Sequence, residues 1–305
     1  MKKRLAILIL LVVLLSGCTK RTTITNDDNS TKSYVTNILC KPESEELVKA
    51  YTKLGNETNV DYMGELPECK NLKINSGGYE GLWTSLFVKP LAWLILKIGL
   101  IVKNYGLAIM IMGLFLRAAL YPISKKSTNM SENMKKAQKE MEKIEKKYQG
   151  KDDKDSMMAK SQEMMLIYKK YDINPLASCL FAFLQMPIFF AFLEAVYRVP
   201  AFFEKNFLVF NLGTTPLEGF KVGNYWYILL VLLIIGCTYF SFKNMNTAGA
   251  DENQQRQMKI MSISMVVFIS IMSFSLPTSI ALYWIVSSGF TIVQNYVLKK
   301  KKGTK

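Results

Sequence analysis

The sequence contains no histidine, which removes imidazole acid–base chemistry and histidine metal ligation from consideration. Its five cysteines, Cys18, Cys40, Cys69, Cys179 and Cys237, lack the spacing of metal ligands, so no metal site is expected. No phosphate-binding loop of the GxxxxGK[ST] type and no GxSxG nucleophile turn occurs. An enzyme built from this sequence would need unusual machinery. Acidic residues are also scarce: 24 Asp and Glu face 39 Lys and Arg, a formal charge of +15. On one soluble face such an excess would suggest nucleic acid. Here the cations fall between apolar runs and at the C-terminus, where they set membrane topology, and no nucleic-acid binding is expected.

What the chain does have is apolar residues, half of its composition, bunched into long runs that point to lipid rather than to a soluble core. Lys2, Lys3 and Arg4 precede an unbroken apolar stretch at 5–15. It is too short to span as a mature helix but fits the core of a signal peptide. It ends in Leu15-Ser16-Gly17-Cys18, which resembles a bacterial lipobox. Residues 1–17 then form a lipoprotein signal peptide, and Cys18 becomes a lipidated N-terminus, carrying palmitate, outside the cytoplasm. The other reading, an uncleaved anchor with a chance cysteine, puts the following residues on the same side. Residues 18–80 are polar and make at most a small extracytoplasmic segment. That compartment permits a disulfide between Cys40 and Cys69, but spacing alone leaves open whether they pair or stay as thiols.

Residues 81–103 are apolar but interrupted by Lys89, Pro90 and Lys97 and carry Trp83 and Trp93. They read as an amphipathic helix in the outer interface, with a further span as the alternative. Five transmembrane helices follow at about 104–124, 174–197, 225–242, 260–276 and 278–298. The second opens on the Asn174-Pro175 cap pair and contains Pro187, where a kink is expected, and a tight turn at Pro277 separates the last two. With the N-terminus outside, the segments left inside, 125–172, 243–259 and the basic cytoplasmic tail 299–305, hold 13, 3 and 5 Lys+Arg, against 3 in the outside loop 198–224. This agrees with the positive-inside rule. The fold class is therefore an all-α polytopic membrane protein with a core at 104–298.

The first inside segment has its own pattern. Met130, Met134, Ala137, Met141, Ile144 and Tyr148 recur at spacings of four and three, and Met157, Met164 and Tyr171 at seven, with Gln149-Gly150 between the two sets. Residues 125–172 should form a cytoplasmic antiparallel helical hairpin. Its methionines either fill the seam or meet varied apolar sequences.

Arg117 lies within the first span, eight residues or about 12 Å from its inner end. A charge at that depth marks a candidate functional site, against the simpler reading that it snorkels to the headgroups. Counting to the same depth in the other spans reaches Gln185, Gly236, Thr238, Ser270, Ser288 and Thr291. These are hydroxyl, amide and backbone groups rather than carboxylates, so the consistent arrangement is a water-containing groove opening inward.

Asn104-Tyr105-Gly106-Leu107-Ala108-Ile109 leading to Arg117 and Tyr121-Pro122, the segment from Ile173-Asn174-Pro175 to Cys179 with Gln185-Met186-Pro187-Ile188-Phe189, and Ala281-Leu282-Tyr283-Trp284-Ile285-Val286 with Val293-Gln294-Asn295-Tyr296 together resemble the YidC family of membrane-protein insertases over about residues 82–298. The lipobox and small external segment are similar to its Gram-positive lipoprotein type. The resemblance implies five core spans, the hairpin, an inward-open hydrophilic groove around Arg117, no ATP hydrolysis and no cofactor. Implied partners are nascent membrane proteins, the Sec translocon and membrane lipid, with only weak ribosome binding because the tail is short. The alternative function is a small-solute channel or transporter using the same polar cavity, although five spans do not divide into equal inverted halves. A passive scaffold would leave Arg117 unexplained.

Overall fold

A computed structural model describes residues 19–25, 31–151, 153–243 and 252–303, with some side chains, among them those of 175–185, outside that description. The expected signal peptide and Cys18 lie outside the described residues, as do the side chains of Cys179 and Gln185. The described chain is mostly helical. Its elements are β1 (Arg21–Thr25), β2 (Thr31–Val35), α1 (Glu45–Thr58), α2 (Lys89–Val102), α3 (Tyr105–Ala119), α4 (Tyr121–Tyr148), α5 (Lys154–Lys170), α6 (Pro175–Tyr197), β3 (Asn206–Phe207), β4 (Phe210–Asn211), α7 (Pro216–Lys221), α8 (Trp226–Lys243), α9 (Glu252–Ser273) and α10 (Thr278–Gly303). An all-α reading therefore needs correction, because β1–β2 and β3–β4 form two small antiparallel hairpins. Short strands among polar loop residues leave almost no hydrophobic periodicity to read.

The chain divides into two compact units. One comprises Met1–Gly113, Gln185–Tyr227 and Leu276–Tyr283, the other Leu114–Leu184, Ile228–Ser275 and Trp284–Lys305. In the first, the segment before Gly81 has a small core of Ile38, Tyr51 and Leu54 flanked by Tyr34, Val35, Tyr62, Met63 and Leu66. The Tyr51 hydroxyl donates to the Val35 carbonyl at 2.7 Å, and burial raises its pKa well above the usual phenol value. Cys40 and Cys69 form a disulfide. Ser44 caps α1 by accepting from Leu47 N–H. The segment is fastened to the residues after α6: the Leu39 amide donates to the Arg198 carbonyl at 2.8 Å, and the amides of Glu43 and Ser44 both donate to Glu204 Oε1.

Gly81–Val102 is the one helical stretch among the described residues that is both long and apolar enough, at 22 residues, to cross a membrane by those two measures. Its course is irregular, with a π turn at Thr84–Val88 before α2. Lys89, expected from the sequence to interrupt the apolar surface, is buried. The other apolar helices, Tyr105–Ala119, Met186–Tyr197, Trp226–Phe242 and Ser262–Ser273, are shorter. Asn104 caps α3 by accepting from Leu107 N–H at 2.9 Å. Two glycines let neighbours approach α3: a Cβ at Gly106 would sit 2.5 Å from the Phe207 ring, and one at Gly113 would sit 3.2 Å from the Tyr283 ring.

In the second unit α4 and α5 pack around Met130, Ala137, Met141, Ile144, Ile167 and Ile173, with Met134, Tyr148, Met164, Tyr168 and Tyr171 partly buried against them. Cross-helix contacts of Lys147 with Glu163, Lys160 with Glu145 and Lys170 with Glu140 fix an antiparallel register. The bonds from Lys170 and Lys147 hold the Glu140 and Glu163 carboxyls below the ordinary range. One expected seam residue is displaced: Met157 is 62% exposed. It lies in the first turn of α5, just after the Asp153 cap, and the buried face continues instead as Met164, Ile167, Tyr168 and Tyr171. Those offsets of three, four and seven are the wider apolar stripe of an ordinary helix face rather than a strict heptad.

Candidate functional site

Arg117 stands four residues after Gly113 on α3, hence on about the same face. Its half-buried side chain donates from Nε to the Ser287 hydroxyl at 2.5 Å, and Ser287, on α10, is itself buried. One turn further along α10, the Thr291 hydroxyl donates to the Ser287 carbonyl at 3.0 Å. Two turns beyond Arg117 the chain repeats the same kind of contact, with the Gln294 amide nitrogen donating to the Ser124 hydroxyl at 2.9 Å. A polar seam therefore joins α3, the start of α4, and α10.

Three other positions reached by depth, Thr238, Ser288 and Ser270, have contacts of their own. Thr238 is buried and accepts from the Trp284 indole N–H at 2.9 Å. Ser288 is buried, and its carbonyl accepts from the Ser241 hydroxyl at 3.1 Å. Both belong to the packing of α8 on α10. The Ser270 hydroxyl donates to the Val266 carbonyl of its own helix at 2.7 Å. Thr291, singled out in the sequence, shares a bonding chain with Arg117 through Ser287. The sequence reading missed Ser287, one position from the Ser288 it chose. Counting residues from a helix end resolves depth but not the side of the helix, and adjacent residues differ by about 100°.

It missed a second polar cluster altogether. Arg198, Glu194 and Lys89 are buried at 1%, 4% and 2% exposure. Glu80 contacts both cations: its Oε1 lies 2.8 Å from Lys89 Nζ, and its Oε2 accepts from Arg198 Nη2. Glu194 takes Arg198 Nη1 on one oxygen and the Trp83 indole N–H, at 2.9 Å, on the other. Lys89 fills its remaining donors with the carbonyls of Ser76 and Gly78, and Arg198 Nε donates to the Asn37 carbonyl at 2.6 Å. Two cations and two carboxylates make the cluster neutral. Burial alone would raise the Glu80 carboxyl, but the hydrogen bonds from Lys89 and Arg198 reverse this and hold it below its ordinary value. The one sequence signal was the four-residue spacing of Glu194 and Arg198 across the end of a helix.

Along α5, Met157, Lys160, Met164, Met165, Lys169 and Ile173 line an open groove of about 800 Å³, beside which Met158 and Leu166 are also exposed. Among the described residues no group of three or more Cys, Asp or Glu is arranged to hold a metal. The polar seam offers hydrogen-bond donors and a fixed positive charge rather than a nucleophile with its base.

Comparison with known proteins gives the family. The profile of the 60Kd inner membrane protein family matches residues 97–305. Over 72% of this chain, the membrane protein insertase YidC of Oceanobacillus iheyensis is 35% identical and is covered to 85% of its length. The membrane protein insertase YidC 2 of Bacillus anthracis is 38% identical, also over 72% of this chain and over 82% of its own. A crystal structure of an active YidC insertase superposes with a TM-score of 0.51 at 24% identity, covering 88% of this chain and 56% of that one. The chain belongs to the YidC family of membrane-protein insertases, the 60Kd inner membrane protein family.

Proposed function

We propose that this membrane-integral chain inserts nascent membrane proteins into the cytoplasmic membrane, alone or beside the Sec translocon, without ATP hydrolysis. In this reading α3, α6, α8, α9 and α10 carry the five spans, Gly81–Val102 lies in the outer interface, and Arg117 attracts polar or acidic client segments into an inward-open groove. The observation that carries it is the Arg117–Ser287 bond. The bond sets a permanently charged guanidinium against the hydroxyl-bearing face of α10, and a charge at that depth draws polar or acidic segments toward it. The groove beside the exposed methionines of α5 suits brief contact with apolar client sequences, since the thioether adapts to many shapes.

Depletion of the protein, followed by pulse-labelling of single-span clients, is expected to leave them protease-sensitive in the cytoplasm. Normal client insertion with altered uptake of a small solute would instead indicate a channel or transporter. Topology has its own check. Lys151→Cys and Lys221→Cys, in a chain with the other free cysteines replaced, are expected to react with a membrane-impermeant maleimide only at Lys221→Cys in intact cells. The reverse labelling would turn the groove to the outside and end the proposal. These two exposed positions are preferable to Gly213, where a Cβ would come within 2.8 Å of Phe203.

A further inference from the structure

The loop between α6 and α7 ends in a two-residue turn of unexpected composition. β3 and β4 pair Asn206 with Asn211 and Phe207 with Phe210, which leaves Leu208 and Val209 at the tip. Leu208 has φ 55°, a region that such turns ordinarily fill with Asn or Gly. Its side chain is nevertheless 79% exposed, and that of Val209 is 52% exposed. In water an Asn would suit both the backbone and the surroundings better.

The base of this turn is firmly held. The Phe207 ring covers Gly106, Phe210 meets Tyr227 edge-on with centroids 5.2 Å apart, and the Asn211 side chain accepts from the amides of Gly213 and Thr214. The tip is thus presented by a fixed support. Its level is set by Asn224, whose Nδ2 donates to the Val209 carbonyl at 3.4 Å while its Oδ1 accepts from Trp226 N–H at 3.2 Å. Tyr225 and Trp226 are exposed and head the apolar helix α8, which goes on to expose Ile228, Leu229 and Leu232. Aromatic residues at the head of an exposed apolar helix mark the membrane–water boundary. Val222, 80% exposed, and the exposed Lys221 precede Asn224 by two and three residues, an apolar side chain next to a cation as anionic headgroups favour.

We propose that Leu208 and Val209 insert into the headgroup–acyl boundary of the outer leaflet, and that lipid is the partner of the surface formed by Leu208, Val209, Val222 and Trp226. This rests on the reading of α8 as a membrane span. The test uses the full chain in proteoliposomes, with Cys18, Cys179 and Cys237 replaced by Ser and the Cys40–Cys69 disulfide intact. An NBD label is placed at Leu208→Cys, Val209→Cys, Leu232→Cys within α8, or Glu57→Cys on exposed α1. Lipids with a nitroxide near the headgroup are expected to quench the first two sites at least threefold more than Glu57→Cys, with aqueous iodide showing the opposite order. Iodide quenching at Leu208→Cys and Val209→Cys equal to that at Glu57→Cys, with Leu232→Cys still quenched by lipid, would overturn the insertion of the tip and leave the spans standing. Shielding of both tip sites from iodide and lipid alike would also overturn it, by showing that protein covers them. Failure of lipid to quench Leu232→Cys would remove the span reading and the proposal together.

Discussion

Replacing Arg117 by Lys is expected to preserve most insertion activity, whereas Arg117→Ala and Arg117→Glu abolish it for clients whose translocated segment is acidic. Lysine keeps the charge and can still reach toward Ser287, but it loses the planar five-donor fork. If the role of Arg117 is a positive potential rather than a fitted bidentate grip, the loss of the fork matters little. In a partly hydrated groove with an effective dielectric of about 20, a unit pair about 4 Å apart is worth on the order of 4 kcal/mol before desolvation. A third of that, about 1.4 kcal/mol, is already a tenfold change in capture. Insertion assays crossing wild type, Arg117→Lys and Arg117→Ala with an acidic client and its neutralised counterpart measure this directly. The expected pattern is at least a tenfold loss for the acidic client with Arg117→Ala and a much smaller loss for the neutral one. Equal losses for both clients would reduce Arg117 to a structural tie between α3 and α10.

The other large effect is expected at Arg198. Removing one member of a buried, hydrogen-bonded ion network costs about 3–5 kcal/mol, because its partners are left charged and without compensation. Arg198→Met strands Glu194 and half of Glu80 and breaks the bond to the Asn37 carbonyl. Its thermal unfolding midpoint in detergent should fall on the order of 10 °C. Glu194→Gln combined with Arg198→Met leaves Glu80 facing Lys89 as a neutral pair and should recover part of the loss. A drop of only a degree or two for the single variant would show that water already screens the cluster. The sign of the pH effect follows from Glu80. Its folded-state pKa lies below the unfolded value, so its contribution is complete above about pH 4.3 and disappears as pH falls through the lower folded value. Acid should therefore loosen the segment before Gly81 from α6, and Glu80→Gln should blunt that dependence.

The helices were largely legible in the sequence because runs of apolar residues and their caps are local signals. Asn174-Pro175, Pro277 and the capped start at Asn104 each appear where α6, α10 and α3 begin. The face of α4 was legible too, since its seam keeps a nearly constant spacing. What escaped depended on residues far apart in the chain. Glu80, Lys89, Glu194 and Arg198 gain their meaning only when segments more than a hundred positions apart meet. Depth alone pointed to Ser288 and passed over Ser287, the residue that Arg117 contacts, because azimuth is decided by neighbours that a linear count does not see. The β3–β4 hairpin failed for another reason: Leu-Val is a poor turn signal in water.

The junction at Leu120 carries a mechanical consequence. α3 ends at Ala119 and α4 begins at Tyr121, with Leu120 at φ −83° and ψ −3° and a proline at the second position of α4. Pro122 has no N–H to continue the ladder, so the junction is a weak point in an otherwise stiff rod. Beyond it α4 runs for 28 residues, a lever arm of about 42 Å at 1.5 Å per residue. A swing of about 6° at Leu120 would carry the far end by about 4 Å, by the geometry of that arm. Arg117, one turn before the pivot, would stay almost still. A small change of angle at Leu120 would thus shift the hairpin tip by about the width of one side chain and leave the charge of Arg117 almost in place.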